Sequence, residues 1–222
     1  MKHRVDGSIE KHKGIFVAKG FSQMKAINYK ETISIVARYS SIIYILALST
    51  QMGWKIHQMD AKIAFLNEVI EEEVYIEKSK RFEIFDRESH VCRLKQALYG
   101  MKQAPRAWYT NIDSYFSGLG FTKSEVDANL FHIVVEGKLF IRVLYVDELI
   151  VTCDEKLIKS CKAELEREFE MKDMGLLHYF LGLEIWQRDR EIFVYQGRYA
   201  NEILKKFHME SNKPMETPIA GN

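Results

Sequence analysis

The chain has 222 residues, with 32 Lys or Arg against 31 Asp or Glu and a formal net charge of +1. It is long enough to enclose a full core and too evenly charged to act as a polycation throughout, so any surface for a polyanion must come from local clustering. With 47% hydrophobic residues, 28% charged residues, 12 Gly and 3 Pro, collagen-like, low-complexity and disordered classes are excluded.

In chain order, the first 30 residues carry seven Lys or Arg against two acids, and the turn signal VDGS precedes the apolar stretch IFVA, which predicts a basic hairpin. Residues 36–52 are largely apolar and end at Gly53, the pattern of a mostly buried helix. Trp54 and Ile56 alternate with Lys55 and His57, predicting a strand that runs into Asp60. Ala104, Trp108, Ile112, Tyr115 and Leu119 recur three or four apart, one apolar stripe on a helix within 101–120 that Gly118 and Gly120 stop. Residues 131–135 and 138–146, joined through Glu136 and Gly137, and then 149–152 predict three antiparallel strands. Leu157, Cys161, Leu165 and Phe169 place a second amphipathic helix over about 155–172, with Gly175 as its stop. Strands at 179–186 and 191–195 and a helix near 197–208 complete the order. It suggests an α+β fold, a split βαβ-like antiparallel sheet with helices on one face.

No internal repeat and no Gly-, Ser- or Pro-rich linker divides the chain. The longest apolar run, residues 42–48, is far short of the roughly 18 residues a spanning helix needs, so no membrane partner is expected. The basic start MKHRVDGSIEKHKG lacks the apolar core of a secretory leader, and Cys92, Cys153 and Cys161 form no CxxC pair. An intracellular, reducing setting follows, without structural zinc or a disulfide framework.

The tetrapeptide Tyr145, Val146, Asp147, Glu148 sits where two apolar strands should be joined by the tightest of turns. Adjacent carboxylates there repel, and a hard cation such as Mg²⁺ is their natural partner. Asp60 ends an apolar strand in the same way, and a sheet that brought it beside Asp147 would suit two-metal phosphoryl transfer. The alternative is a solvated turn acid and a strand-end acid with no shared role. His57 and His178 read as packed or capped side chains.

Together FVAKGFSQ (16–23), GWKIHQMDAKIAFLN (53–67), EEEVYIE (71–77), LKQALYGMKQAPRAWY (94–109), LYVDELIVT (144–152), MKDMGLLHYFLGLEI (171–185) and KPMETP (213–218) resemble, over nearly the whole chain, the reverse transcriptase of Ty1/copia-type retrotransposons. The combination is highly specific, although each piece alone is weak. The resemblance implies a polymerase palm with partial fingers: about 1–53 partial fingers, about 54–185 palm with mixed fingers elements, about 186–222 the start of a thumb or connection. It implies RNA-directed DNA synthesis from dNTPs on a primed RNA or DNA template with Mg²⁺ or Mn²⁺, in a cytoplasmic retrotransposon particle. The chain would then be a fragment of a Pol polyprotein without its ribonuclease H, integrase or protease; oligomeric state is left open.

By position, Asp60 and Asp147 resemble the two catalytic acids, the Ala61 carbonyl a further metal ligand, and Glu148 stands where the family has the last Asp of YVDD. Phe65 matches the aromatic that walls the sugar pocket. Tyr99, Gly100 and Lys102 match the floor of the nucleotide site, and Lys13 and Lys19 the residues that hold the triphosphate, with a generic solvated cation as the other reading of the lysines. Arg93, Lys95 and Arg106 supply charge for template and primer. Phe180, Leu181 and Gly182 match a segment near the primer, although FLGLEI would also make a good buried strand. The sequence departs from the family at Ile15 and Ile43, where Arg is usual, Ile35 for Pro, Ile63 for Thr, and Glu148 for Asp. Such losses at nucleotide-facing positions imply an impaired copy; the alternative is a catalytically dead relic that folds and at most binds nucleic acid.

Overall fold

The computed structural model describes residues 2–3, 9–11, 16–32, 36–66, 68–70, 72–77 and 91–213. The strands β1 (Lys2–His3) and β2 (Ile9–Lys11) pair antiparallel, as the basic hairpin requires. Lys13, Ile15 and Ile35 lie outside the described residues. A 3₁₀ turn (Gly20–Ser22) leads to α1 (Tyr39–Met52), which Gly53 ends in the left-handed conformation, its N–H donating to the Ser49 and Thr50 carbonyls. Then come β3 (Ile56–Ala61), β4 (Tyr75–Glu77) and β5 (Val91–Arg93). The helix α2 (Ala104–Gly118) carries Pro105 in its first turn, where no N–H is needed. After it come β6 (Thr122–Lys123), β7 (Leu130–Val135), β8 (Lys138–Tyr145) and β9 (Glu148–Thr152). The helix α3 (Glu155–Phe169) is capped by Asp154, which accepts from the Lys156 N–H. The chain continues through β10 (Met171–Leu176), β11 (Tyr179–Phe180), β12 (Leu183–Arg188), β13 (Glu191–Tyr195) and α4 (Gly197–Lys206).

Six strands form one antiparallel sheet in the order β10-β3-β9-β8-β7-β6. Alternation along the strands sends Met59, Leu144, Leu149 and Val151 to one face, where they meet Trp108, Ile112 and Phe116 of α2 and Ile158, Leu165 and Phe169 of α3. The opposite face carries Ile56, Ile141, Val143 and Ile150, packed against Ile42, Ile45 and Leu46 of α1 and against Phe180, Leu183 and Ile185 of the small sheet β11-β12-β13. Helices on one face is therefore corrected: α1 covers the face opposite α2 and α3. A buried helix looks the same from either side in its sequence. The hydroxyls of Ser49 and Thr152, 3.2 Å apart, join α1 to β9 within that second core.

Two boundaries also differ from expectation. The helix over 155–172 stops at Phe169, because Glu170 turns left-handed (φ 49°) and Met171 opens β10. The run 179–186 is two strands, broken where Leu181 and Gly182 take φ of 52° and 80°.

Arg142 is buried on β8 between the rings of Phe116, Phe121 and Phe140, 4.3–5.1 Å from its guanidinium carbon, and donates from Nη2 to Glu164 at 3.3 Å. The rings offer the charge a π-face in place of water. Among the described residues no helix is long and apolar enough to cross a membrane.

Residues 16–29 dock onto the loop before α2. The Ala18 N–H donates to the Tyr99 carbonyl at 2.7 Å, and the Gln23 side chain accepts from the Lys102 N–H at 2.8 Å while donating to Gln103 at 3.1 Å. The backbones cross so closely that a Cβ on Gly20 would collide with the Gly100 carbonyl, and one on Gly100 (φ 86°) with that of Ala18. Gly20→Ala is expected to cost about 1–3 kcal/mol, read as a lower chemical-denaturation midpoint.

Candidate active site

The register of the large sheet sets the site. Asp60, near the end of β3, pairs directly with Glu148, the first residue of β9. Residues so paired share a face with their Cβ atoms about 4.5–5.5 Å apart. Asp147 precedes Glu148 in the two-residue turn that Tyr145 and Glu148 close. Val146, the first central residue of that turn, has φ 57°, the sign a tight hairpin needs and a β-branched residue resists. The Asp147 carbonyl accepts from the Ala61 N–H at 2.9 Å, which ties the turn to the end of β3.

The three acids are electrostatically coupled. Burial first, and then the charges of Asp147 and Asp60, push the Glu148 carboxyl above the usual glutamate value, against a hydrogen bond from Gln58. The Tyr99 phenol is pushed up by burial and then by the charges of Asp147 and Asp60. On the other side of Asp60, Lys172 of β10 occupies the paired position and is exposed. Glu148, Asp60 and Lys172 thus form one row across three strands.

The remaining positions divide into those near this row and those elsewhere. Phe65 is buried, 7% exposed, with its ring edge-on to Tyr99 at 5.1 Å. Gly100 and Lys102 follow in the loop on which residues 16–29 dock, with Lys102 and Lys19 exposed. Arg93 and Lys95 are exposed on and just after β5, Arg93 ion-paired with Glu73 at 3.0 Å, and Arg106 on α2 lies 3.4 Å from Glu31. Phe180 is in the core, edge-on to Tyr145 at 5.2 Å, and Gly182 lies in the turn after it. His57 projects from the face of β3 opposite Asp60; burial and then Lys162 lower its pKa.

Two side chains at the site were not singled out by sequence. Lys172 lies in a polar segment with no periodic signal, and Trp108 counts in the sequence only as one residue of an apolar stripe. Its indole Nε1–H donates to the Val146 carbonyl at 2.9 Å, so α2 reaches the turn itself.

Among the described residues no group of three His, Cys, Asp or Glu is arranged to hold a metal ion. The donors nevertheless fit a hard divalent cation in kind. They are carboxylate oxygens at one sheet end, and burial, followed by the charges of Asp147 and Asp60, raises the Glu148 pKa; a cation would offset the second of these causes.

A family model described as reverse transcriptase (RNA-dependent DNA polymerase) matches residues 1–221. The chain is 37% identical over its full length to the retrovirus-related Pol polyprotein from transposon TNT 1-94 of Nicotiana tabacum, covering 17% of that protein. It is also 37% identical over 99% of its length to the Pol polyprotein from transposon RE1 of Arabidopsis thaliana, covering 15%. It is 28% identical over 90% of its length to the Ty1-NL2 Gag-Pol polyprotein of Saccharomyces cerevisiae, covering 12%. No solved structure gives a significant match. The chain belongs to the reverse transcriptase family, in the branch of copia-type retrotransposon Pol polyproteins. It spans about a sixth of the length of these plant relatives.

The raised Glu148 pKa has a definite sign. A carboxyl that ionises less readily when folded lowers stability above its folded pKa, and the penalty vanishes below its unfolded value. Glu148→Gln is expected to raise the melting temperature at pH 7.5, with the gap to the parent closing as the pH falls through the carboxylate range, measured by thermal denaturation at several pH values.

Proposed function

We propose that the chain carries out template-directed DNA synthesis, joining a primer 3′-hydroxyl to the α-phosphate of a dNTP with loss of pyrophosphate. The observation that carries this reading is the pairing of Asp60 with Glu148, with Asp147 in the adjoining turn. Asp60 and Asp147, with the Ala61 carbonyl, would hold Mg²⁺ or Mn²⁺. When bound, such ions lower the pKa of the attacking hydroxyl and stabilise the leaving pyrophosphate.

The protein's own groups bind and orient. Lys19 and Lys102 are exposed on two segments that hydrogen bonds hold together, a suitable place for a triphosphate, and Lys13 is assigned there by sequence position. Arg93, Lys95 and Arg106 would take the template and primer backbone. The exposed ion pairs of Arg93 and Arg106 are weak and exchange readily for phosphate. Sugar selection is assigned to Tyr99 backed by the buried Phe65, since the edge-on contact makes the position of one ring depend on the other. Phe65→Ala should loosen discrimination between dNTP and rNTP, read as the ratio of incorporation efficiencies.

Glu148 favours a slow enzyme. Its carboxylate is one methylene farther from the backbone than that of Asp, and misplacement by about 1 Å can cost on the order of a hundredfold. Primer extension on an RNA template with Mg²⁺ or Mn²⁺ tests both points. Asp147→Ala and Asp60→Ala should abolish extension, and Glu148→Asp should raise kcat by up to about a hundredfold. Retained template binding without extension by the parent or Glu148→Asp would instead favour a folded relic. A parent as fast as Glu148→Asp would remove the impairment.

A further inference from the structure

The carbonyls on both sides of the Asp147 Cα are held from outside the hairpin. That of Val146 accepts from Trp108 Nε1–H on α2, and that of Asp147 accepts from the Ala61 N–H on β3, each at 2.9 Å. Fixing the two peptide planes that flank a residue fixes its φ and ψ, and so the direction of its side chain. The Val146 plane needs such a hold, because a β-branched residue at φ 57° is strained and gains by relaxing. The donor is itself immobile. Trp108 is buried at 2% exposure, and its ring stands edge-on to Phe169 at 5.5 Å. Phe169 is the last residue of α3, two before β10 begins against Ala61.

We propose that Trp108 is a positioning residue for Asp147: its indole N–H clamps the Val146 carbonyl, holds the strained turn closed, and aims the Asp147 carboxylate at the site shared with Asp60. An indole suits the task, since its N–H can only donate and its bicyclic ring fills the α2–α3 interface at the same time. Phenylalanine could supply the packing and not the clamp. The proposal rests on the polymerase reading for its consequence in catalysis, and on the turn geometry alone for the clamp.

The test uses the full chain in a double-mutant cycle with Val146→Gly, which accepts a positive φ without strain. In the parent background Trp108→Phe should lower the melting temperature by about 3–6 °C, and in the Val146→Gly background by more, because only the parent recovers turn strain when the clamp is lost. Trp108→Phe should also weaken Mn²⁺ binding, followed by electron paramagnetic resonance, on the order of tenfold. In primer extension it should lower kcat while the dNTP KM stays within about twofold. Should Trp108→Phe fail to fold, 3-benzothienylalanine placed at position 108 keeps the bicyclic ring, lacks the N–H, and should give the same results. A melting-temperature loss no larger in the Val146→Gly background than in the parent, or Mn²⁺ affinity unchanged from a binding-competent parent, would overturn the clamp and leave Trp108 a core residue. A parent that neither binds Mn²⁺ nor extends a primer would sink the polymerase reading, and the stability cycle alone would then decide the clamp.

Discussion

Three carboxylates gathered at one end of an antiparallel sheet repel one another, and much of the structure can be understood as holding them there. Like charges directly opposite on neighbouring strands oppose pairing, yet Asp60 and Glu148 are in register. The restoring force comes from behind them. β3, β9 and β8 are buried on both faces, one against α2 and α3, the other against α1 and the small sheet. Sliding a strand by one residue to separate the acids would exchange these two faces and misfit each set of side chains to the core it entered. Hydrophobic packing thus fixes the position of polar groups that would not choose it.

Coupling between elements follows from the same geometry. α2 contributes core residues along one side, the indole that reaches the turn, and the loop on which residues 16–29 dock. Tyr99 belongs to that loop, and burial, then the charges of Asp147 and Asp60, raise its phenol pKa. The buried Arg142, caged by three phenylalanines and joined to Glu164, adds a link between β8 and α3.

What the sequence made legible depended on contrast between neighbouring residues. The helices α1, α2 and α3 and the strands β7 to β9 carry strong apolar periodicity and clear stops such as Gly53 and Gly137, and they lie close to their expected places. The pairing of Asp60 with the YVDE turn was legible as two acids at apolar strand ends. The face covered by α1 was not, because an almost wholly apolar helix has no direction. The crossing of Gly20 and Gly100 depends on two backbones distant in sequence, and nothing local marks either glycine. The reach of Trp108 to the turn was hidden by its regular place in a stripe. β10, MKDMGL, has no regular apolar alternation, and only its first two residues fall within the helix expected over about 155–172.

The feature that concealed β10 also gives it a protective role. Among the described residues it is the outer strand of the large sheet, with one row of backbone groups facing away from β3, the template on which chains aggregate edge to edge. Lys172 and Asp173 are exposed on it, Gly175 takes φ 83°, and its register against β3 shifts between Asp173 and Leu176. A second chain attempting to add there would meet charge and a bend instead of a flat apolar ribbon. The strand least recognisable as a strand is the one best suited to ending a sheet, and the lysine beside Asp60 belongs to that defence as much as to the site.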